Sequence, residues 1–273
     1  MKLIYLVAAG AAALLGACNG AAPTDGAAGG KYIEAPTAAD ASPVVTASDG
    51  PIMLTPKAPG ADFPDATITK WQYLGGKFDY DYAADTYKLG EQSPEAGSTM
   101  CANSGKGQHI HLIVDNQPYV AKYEPDFAYD MPDGEHYVLT FLSRSYHESI
   151  KTEAARRAAV VSVADGAFAR EKPINDPMLF YSRPKGTYTG EDAENILLDF
   201  YPLNVELGDD YGVKVEVGGQ SFTVNEWQPY LLKGLPMGEN TVTLTLVDGE
   251  GRRVEAPFNP VSRTFTLAAD PLN

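Results

Sequence analysis

The sequence predicts a mainly β fold, two β-sandwiches in tandem, and three observations predict it. Beyond about residue 60 the chain is rich in Val, Thr, Tyr, Phe and Leu gathered in short runs, with Gly, Pro, Asn and Asp between them. Those runs have the length of strands and the separators have turn chemistry. Good helix formers gather only at 152–159 (TEAARRAA), enough for two helical turns at most. An ungapped internal repeat aligns 123–143 with 227–247 and pairs Pro125 with Pro229, Pro132 with Pro236, Gly134 with Gly238, Glu135 with Glu239, Val138 with Val242 and Leu142 with Leu246. The shared P-x-G-E reads as a tight turn feeding a strand. Each copy then spans about 90–110 residues, the size of one immunoglobulin-like sandwich.

In chain order, Lys2 precedes an apolar run at 3–15 that is too short to span a bilayer, so residues 1–17 read as a lipoprotein signal peptide. The ending Leu15-Gly16-Ala17-Cys18 matches a bacterial lipobox, which makes Cys18 the lipid-bearing first residue of the mature chain and the membrane a partner through that anchor. Asn19, where an Asp would retain the protein at the inner membrane, points to the outer membrane. Residues 18–60 are Ala, Gly, Pro, Thr, Ser and Asp with hardly an aromatic, and cannot bury enough surface to offset their ordering entropy. They are expected to be a disordered tether, reaching on the order of 35 Å as a flexible coil. The first sandwich is expected over 61–170, with strands at 68–74, 109–115, 137–143 and 159–164. Residues 171–183, with Pro173 and Pro177, read as the linker, and 184–273 as the second sandwich, with strands at 196–201, 213–217, 241–247 and 263–267.

Composition excludes some functions. The net charge is −15, and loss of residues 1–17 removes only Lys2 and leaves −16, so a phosphate-binding surface for nucleic acid is not expected. With Cys18 lipidated, Cys101 is the one other cysteine, and stability must come from an apolar core without a disulfide framework. There is no G-x-S-x-G, H-E-x-x-H or C-x-x-C, and SGKG at 104–107 lacks the spacing of a phosphate loop. A binding or structural module is expected, not an enzyme.

All four histidines, His109, His111, His136 and His147, lie within 39 residues. Random scatter would do this about one time in a hundred. Strand alternation puts His109, His111, Ile113 and Asp115 on one face and Ile110, Leu112 and Val114 on the other. Matching the turn at 115–117 to that at 218–220 faces the apolar triplet inward and sets the two imidazoles side by side on the opposite face. His136 opens the strand after the P-x-G-E turn, opposite Asn240 of the repeat, and His147 follows the far end of that strand. One strand length separates the two, so a site combines His109 and His111 most readily with one of them. The four histidines are the candidate ligands of Cu(II) or Zn(II), with Asp115, Glu135 and Glu148 as accessory carboxylates. Met100 and Cys101 lie a few residues upstream, but not in blue-copper order. Two other readings stand beside this one. The imidazoles could hydrogen-bond turns and Tyr or Asp neighbours, or a strip of Tyr73, Tyr80, Tyr82, Tyr87, Tyr119, Tyr123, Phe127 and Tyr129 could bind a glycan, a peptide or an envelope protein.

The run GQHIHLIVDNQPY, followed by P-x-G-E-H, a strand and a further His, resembles a family of uncharacterised bacterial envelope lipoproteins. Its domain of unknown function carries G-x-H-x-H-L-x-x-D and P-x-G-x-H before a closing His. In this sequence His109, His111, Asp115, His136 and His147 take the motif positions. The resemblance covers the first sandwich, with the second as its histidine-free partner. It implies a metal-binding role without an established activity.

Overall fold

The computed structural model describes residues 51–99 and 101–270. Among them lie seventeen strands, three short 3-10 turns and no α-helix. In chain order the strands are β1 (Met53–Pro56), β2 (Thr67–Leu74), β3 (Lys77–Ala83), β4 (His109–Val114), β5 (Val120–Lys122), β6 (Asp126–Ala128), β7 (Gly134–Ser143), β8 (Arg156–Ala164), β9 (Ala167–Lys172) and β10 (Met178–Arg183). There follow β11 (Gly186–Thr189), β12 (Ile196–Leu203), β13 (Tyr211–Val217), β14 (Gln220–Val224), β15 (Tyr230–Lys233), β16 (Gly238–Asp248) and β17 (Val261–Ala268). The first sandwich packs a sheet of order β2-β3-β6 on one of order β5-β4-β7-β8-β9. The second packs β1-β15-β12-β10 on β11-β17-β16-β13-β14. All eight sequence-predicted strands form, and the fold is the tandem sandwich the sequence predicts.

The repeat is visible in the pairing. Val114 faces Val138 across β4 and β7, as Val217 faces Val242 across β13 and β16. Gly134 faces Val163 as Gly238 faces Leu267. Both glycines stand at positive φ, 140° and 96°, where a side chain would be strained, and this accounts for the P-x-G-E identity.

Two boundaries differ from the sequence reading. Part of the expected tether is strand: β1 pairs antiparallel with β15, and Ile52 buries its side chain in the core of the second sandwich. Ile52, Met53 and Leu54 supply there the apolar surface that residues 19–50, outside the described residues, lack. The expected linker is largely strand as well, since β9 runs to Lys172 and β10 starts at Met178. β10 reads MLFYSR and is buried on both faces, so it has no alternation to betray it. The helix formers at 152–159 make one 3-10 turn, Glu153–Ala155, running into β8, where Ala158, Ala159 and Val160 pair with β7.

The two sandwiches pack face to face. Ile113, Leu139 and Phe141 on the outer face of the β4-β7 sheet, with Tyr119, meet Met178, Phe180, Tyr201 and Leu203 from β10 and β12 in a third buried cluster. Each such side chain contributes about 1.5–3 kcal/mol when fully buried, so this seam is a closed contact and not a hinge. Asn116 clips it, donating to Leu179 O at 2.8 Å and accepting from the Tyr181 amide at 2.9 Å, which satisfies the free edge of β10. Asp199, fully buried, accepts from Lys151 Nζ at 2.7 Å and Ser149 Oγ at 3.0 Å.

Candidate metal site

The histidine geometry follows from the seam. Ile110, Leu112 and Val114 enter the core of the first sandwich, as alternation predicts. His109, His111 and Ile113 point the other way, yet all six residues of β4 are buried, because the second sandwich covers the outer face. The registers align Val114 with Val217, so His109, His111 and Ile113 correspond to Gly212, Lys214 and Glu216. In the second copy this face meets water, and Lys214 and Glu216 form an ion pair at 2.8 Å with both side chains over a third exposed.

His147 arrives by a tight reversal. The Arg144 amide donates to Glu148 O and the His147 amide to Arg144 O, both at 2.9 Å, which folds the chain back after β7. His147 itself sits at φ 68°, a left-handed conformation that most residues other than glycine seldom take. The repeat makes the same turn: the Asp248 amide donates to Arg252 O at 2.9 Å and the Gly251 amide to Asp248 O at 2.8 Å, and the residue opposite His147 is Gly251, at φ 78°.

Three imidazole nitrogens converge. His109 Nε2 lies 2.9 Å from His111 Nε2 and 3.0 Å from His147 Nδ1, and the three donor atoms all fall within 4.8 Å of one another. Gly107 O accepts from His109 Nδ1 at 2.8 Å, which fixes that proton outward and turns the Nε2 lone pair into the cluster. Gly107 is at φ 84° and a Cβ there would strike the Gly90 carbonyl, so the 104–107 loop holds this acceptor in place. Ser182 Oγ stands 3.4 Å from His111 Nδ1 and plays the corresponding part. Tyr119 stacks on His111, with ring centroids 3.6 Å apart and 10° between planes, and its Oη lies 3.2 Å from His147 Nδ1. Burial pushes the His109 pKa down to about 4, against the lesser opposing pull of the Gly107 carbonyl, and Arg183 and Lys185 push the same way. Burial, with neighbouring imidazoles and the same two cations, also holds His111 and His147 well below the ordinary value. All three are neutral at pH 7, with lone pairs free for a metal. His147 is only half-buried, so the cluster opens to solvent on its side.

Not every expected ligand joins. His136 lies apart, with Nδ1 2.6 Å from Asp115 Oδ2 and Nε2 2.8 Å from Pro132 O. Both of its nitrogens are engaged, and Asn240 makes the same clip to Pro236 O at 2.8 Å in the repeat, so His136 ties down the turn. Asp115 is held by His136 and the Tyr137 amide, and Glu135 is exposed and pairs with Lys172 at 3.0 Å. Glu148 is buried between Lys57 at 2.7 Å and Arg144 at 3.4 Å. Cys101 is buried in a separate small cluster, and Met100 lies outside the described residues. The tyrosines form no exposed strip: Tyr73, Tyr80, Tyr87 and Tyr119 are buried, and Tyr82, Tyr123, Phe127 and Tyr129 half-buried. The residues that sequence reasoning missed are Tyr119 and Arg183 as neighbours of the triad. The signal for the first was the hairpin, since Leu112 faces Val120 and brings Tyr119 back beside β4.

No family model matches the chain, and no curated protein matches its sequence. Among solved structures it is similar to the fibronectin(III)-like modules of Clostridium thermocellum CbhA, at 11% identity and a TM-score of 0.28, covering 81% of this chain and 97% of that one. It is also similar to the central fibronectin-III array of RIM-binding protein, at 13% identity and a TM-score of 0.26, covering 78% and 72%. A calcium-stabilised, ice-binding adhesin of an Antarctic bacterium matches at 9% identity and a TM-score of 0.23, covering 83% and 50%. At scores this low the fold rests on the sheets and cores themselves. Among the described residues no helix is long and apolar enough to cross a membrane.

Proposed function

We propose that the chain is a lipid-anchored envelope protein of the binding type, not an enzyme, and that His109, His111 and His147 bind copper or zinc at the seam between its sandwiches. The observation that carries this reading is the convergence of three neutral imidazoles, two buried and one half-buried, with nitrogens 2.9 and 3.0 Å apart. Donors sharing an ion at ~2.0 Å lie ~2.8–3.4 Å apart, the spacing His109 already has to each of its two neighbours, and the His111–His147 edge has to close up on binding. Anchoring at the outer membrane rests on Cys18 and Asn19, and puts the site in the envelope, where metal ions are captured or passed on. The burial of the tyrosines leaves no observation favouring a glycan or peptide.

Calorimetric titration of the full chain with Cu(II) and with Zn(II), beside His147→Gly, tests this. Gly251 shows that glycine suits this turn, so the variant is expected to fold. One equivalent bound tighter than micromolar by the wild type, and lost in the variant, is the expected result. No uptake, or equal uptake by both chains, would overturn the reading.

A further inference from the structure

Three neutral imidazoles around a dication leave a charge problem in this seam. Arg183 is buried, 6% exposed; its Nε donates to Tyr119 Oη at 3.0 Å and its Nη1 to Tyr188 Oη at 2.8 Å. Among the described residues no carboxylate pairs with it. Lys185 adds a second cation, with Nζ 4.0 Å from the Tyr119 ring centroid and donating to Tyr119 O at 2.8 Å. A buried cation without a counter-charge is costly, and a metal ion beside two of them more so. Among the described residues, His147 is the one other His, Cys, Asp or Glu side chain placed to share the ion with His109 and His111, so no carboxylate or thiolate there balances it.

Both cations converge on Tyr119, whose phenol oxygen touches the triad at His147 Nδ1 and can become negative. We propose, building on the metal-binding reading, that Tyr119 is the fourth ligand, that it coordinates as a phenolate, and that the set His109, His111, His147 and Tyr119 takes copper(II). The donors follow one another around the site: His111 Nε2 to His109 Nε2 at 2.9 Å, His109 Nε2 to His147 Nδ1 at 3.0 Å, His147 Nδ1 to Tyr119 Oη at 3.2 Å. Tyr119 lies stacked on His111, so its ring has to tilt out of the stack to bring Oη to an ion held by the His111 lone pair. Imidazole nitrogens with a phenolate oxygen are donors that suit copper(II). On binding, each imidazole gives its inward lone pair and the phenol releases its proton to solvent, with no change of oxidation state. The Arg183 Nε–H remains on the phenolate oxygen and gains the counter-charge it lacks.

Copper(II) sulfate titrated into the full chain, followed by visible absorption and resonance Raman, decides it. One equivalent is expected to raise a phenolate-to-copper charge-transfer band whose excitation enhances tyrosinate ring modes, and Tyr119→Phe is expected to lose both while keeping its far-UV circular dichroism. The wild-type spectrum decides even where that variant fails to fold. Stoichiometric copper uptake with only weak ligand-field absorption and no tyrosinate modes would overturn Tyr119 as a ligand and leave the three-histidine reading standing. No copper uptake by the wild type would overturn both.

Discussion

The buried triad makes the metal-free protein acid-sensitive in a window set by histidine. In the unfolded chain the imidazoles titrate near 6.5, whereas burial brings His109 down to about 4 and His111 and His147 well below their ordinary value. The unfolded chain therefore takes up protons first. Stability is full above pH 6.5 and is lost as pH falls toward 4. For His109 alone the linkage integral between pH 7 and pH 5 is about 2 kcal/mol, and each further proton held only by the unfolded chain steepens the slope by about 1.4 kcal/mol per pH unit. The paired carboxylates contribute below this window, because the groups with lowered values, such as Glu95 with its hydrogen bonds from Tyr146 and the Ala61 amide, stay ionised at pH 5. The assay is urea unfolding in EDTA at pH 7.5 and 5.0, for the wild type and His109→Gln. The wild type should lose at least about 2 kcal/mol on acidification, and the variant about 2 kcal/mol less than the wild type. A wild type equally stable at both pH values, or a variant with the same pH dependence, would refute the burial argument.

Three further outcomes follow from the packing. Phe141→Ala empties a fully buried place in the seam and should cost about 3–5 kcal/mol in the same urea assay at pH 7.5. Removal of residues 1–56 strips β1 from β15 and leaves a bare sheet edge at 230–233; the product should melt lower and scatter light in a concentration-dependent way. His136→Asn copies the clip that Asn240 makes in the repeat, so it should change stability by no more than about 1 kcal/mol and leave metal titrations unaltered.

Much of the fold was legible because alternation and turn chemistry act locally. β2, β13 and β16 bury one face and expose the other to some degree, and their sequences say so. β10 was harder: enclosed on both sides, it carries no alternation, and MLFYSR passed for linker because two prolines lie just before it. β1 was hidden by its neighbourhood, three apolar residues after a long small-residue stretch, and only pairing with β15 makes them a strand. At the site, alternation placed His109 and His111 on the outer face and could not tell that another sandwich would cover that face, since the contact joins residues about 70 positions apart, such as His111 and Ser182. The choice between His136 and His147 was also readable. Extended by a few residues, the ungapped repeat sets His147 against Gly251, a residue type kept where φ is positive, whereas His136 meets Asn240, a side chain that can make the same hydrogen bond.

That contrast separates folding from function within one chain. Two copies of a sandwich share a turn that needs a left-handed residue, and one copy uses glycine there while the other accepts a histidine at a backbone cost on the order of 1 kcal/mol. The same copy replaces Gly212 and Lys214 by two imidazoles that must stay uncharged in a buried seam next to Arg183 and Lys185. Neither choice helps the fold: a glycine would relax the turn, and apolar residues would fill the seam without orphan lone pairs. Local strain and buried polar groups concentrated at one point, with a relaxed copy of the same scaffold alongside, are what a binding site imposes on a β-sandwich. An ion bound as proposed would supply the stabilisation that offsets them, because the folded chain alone brings the three imidazoles together.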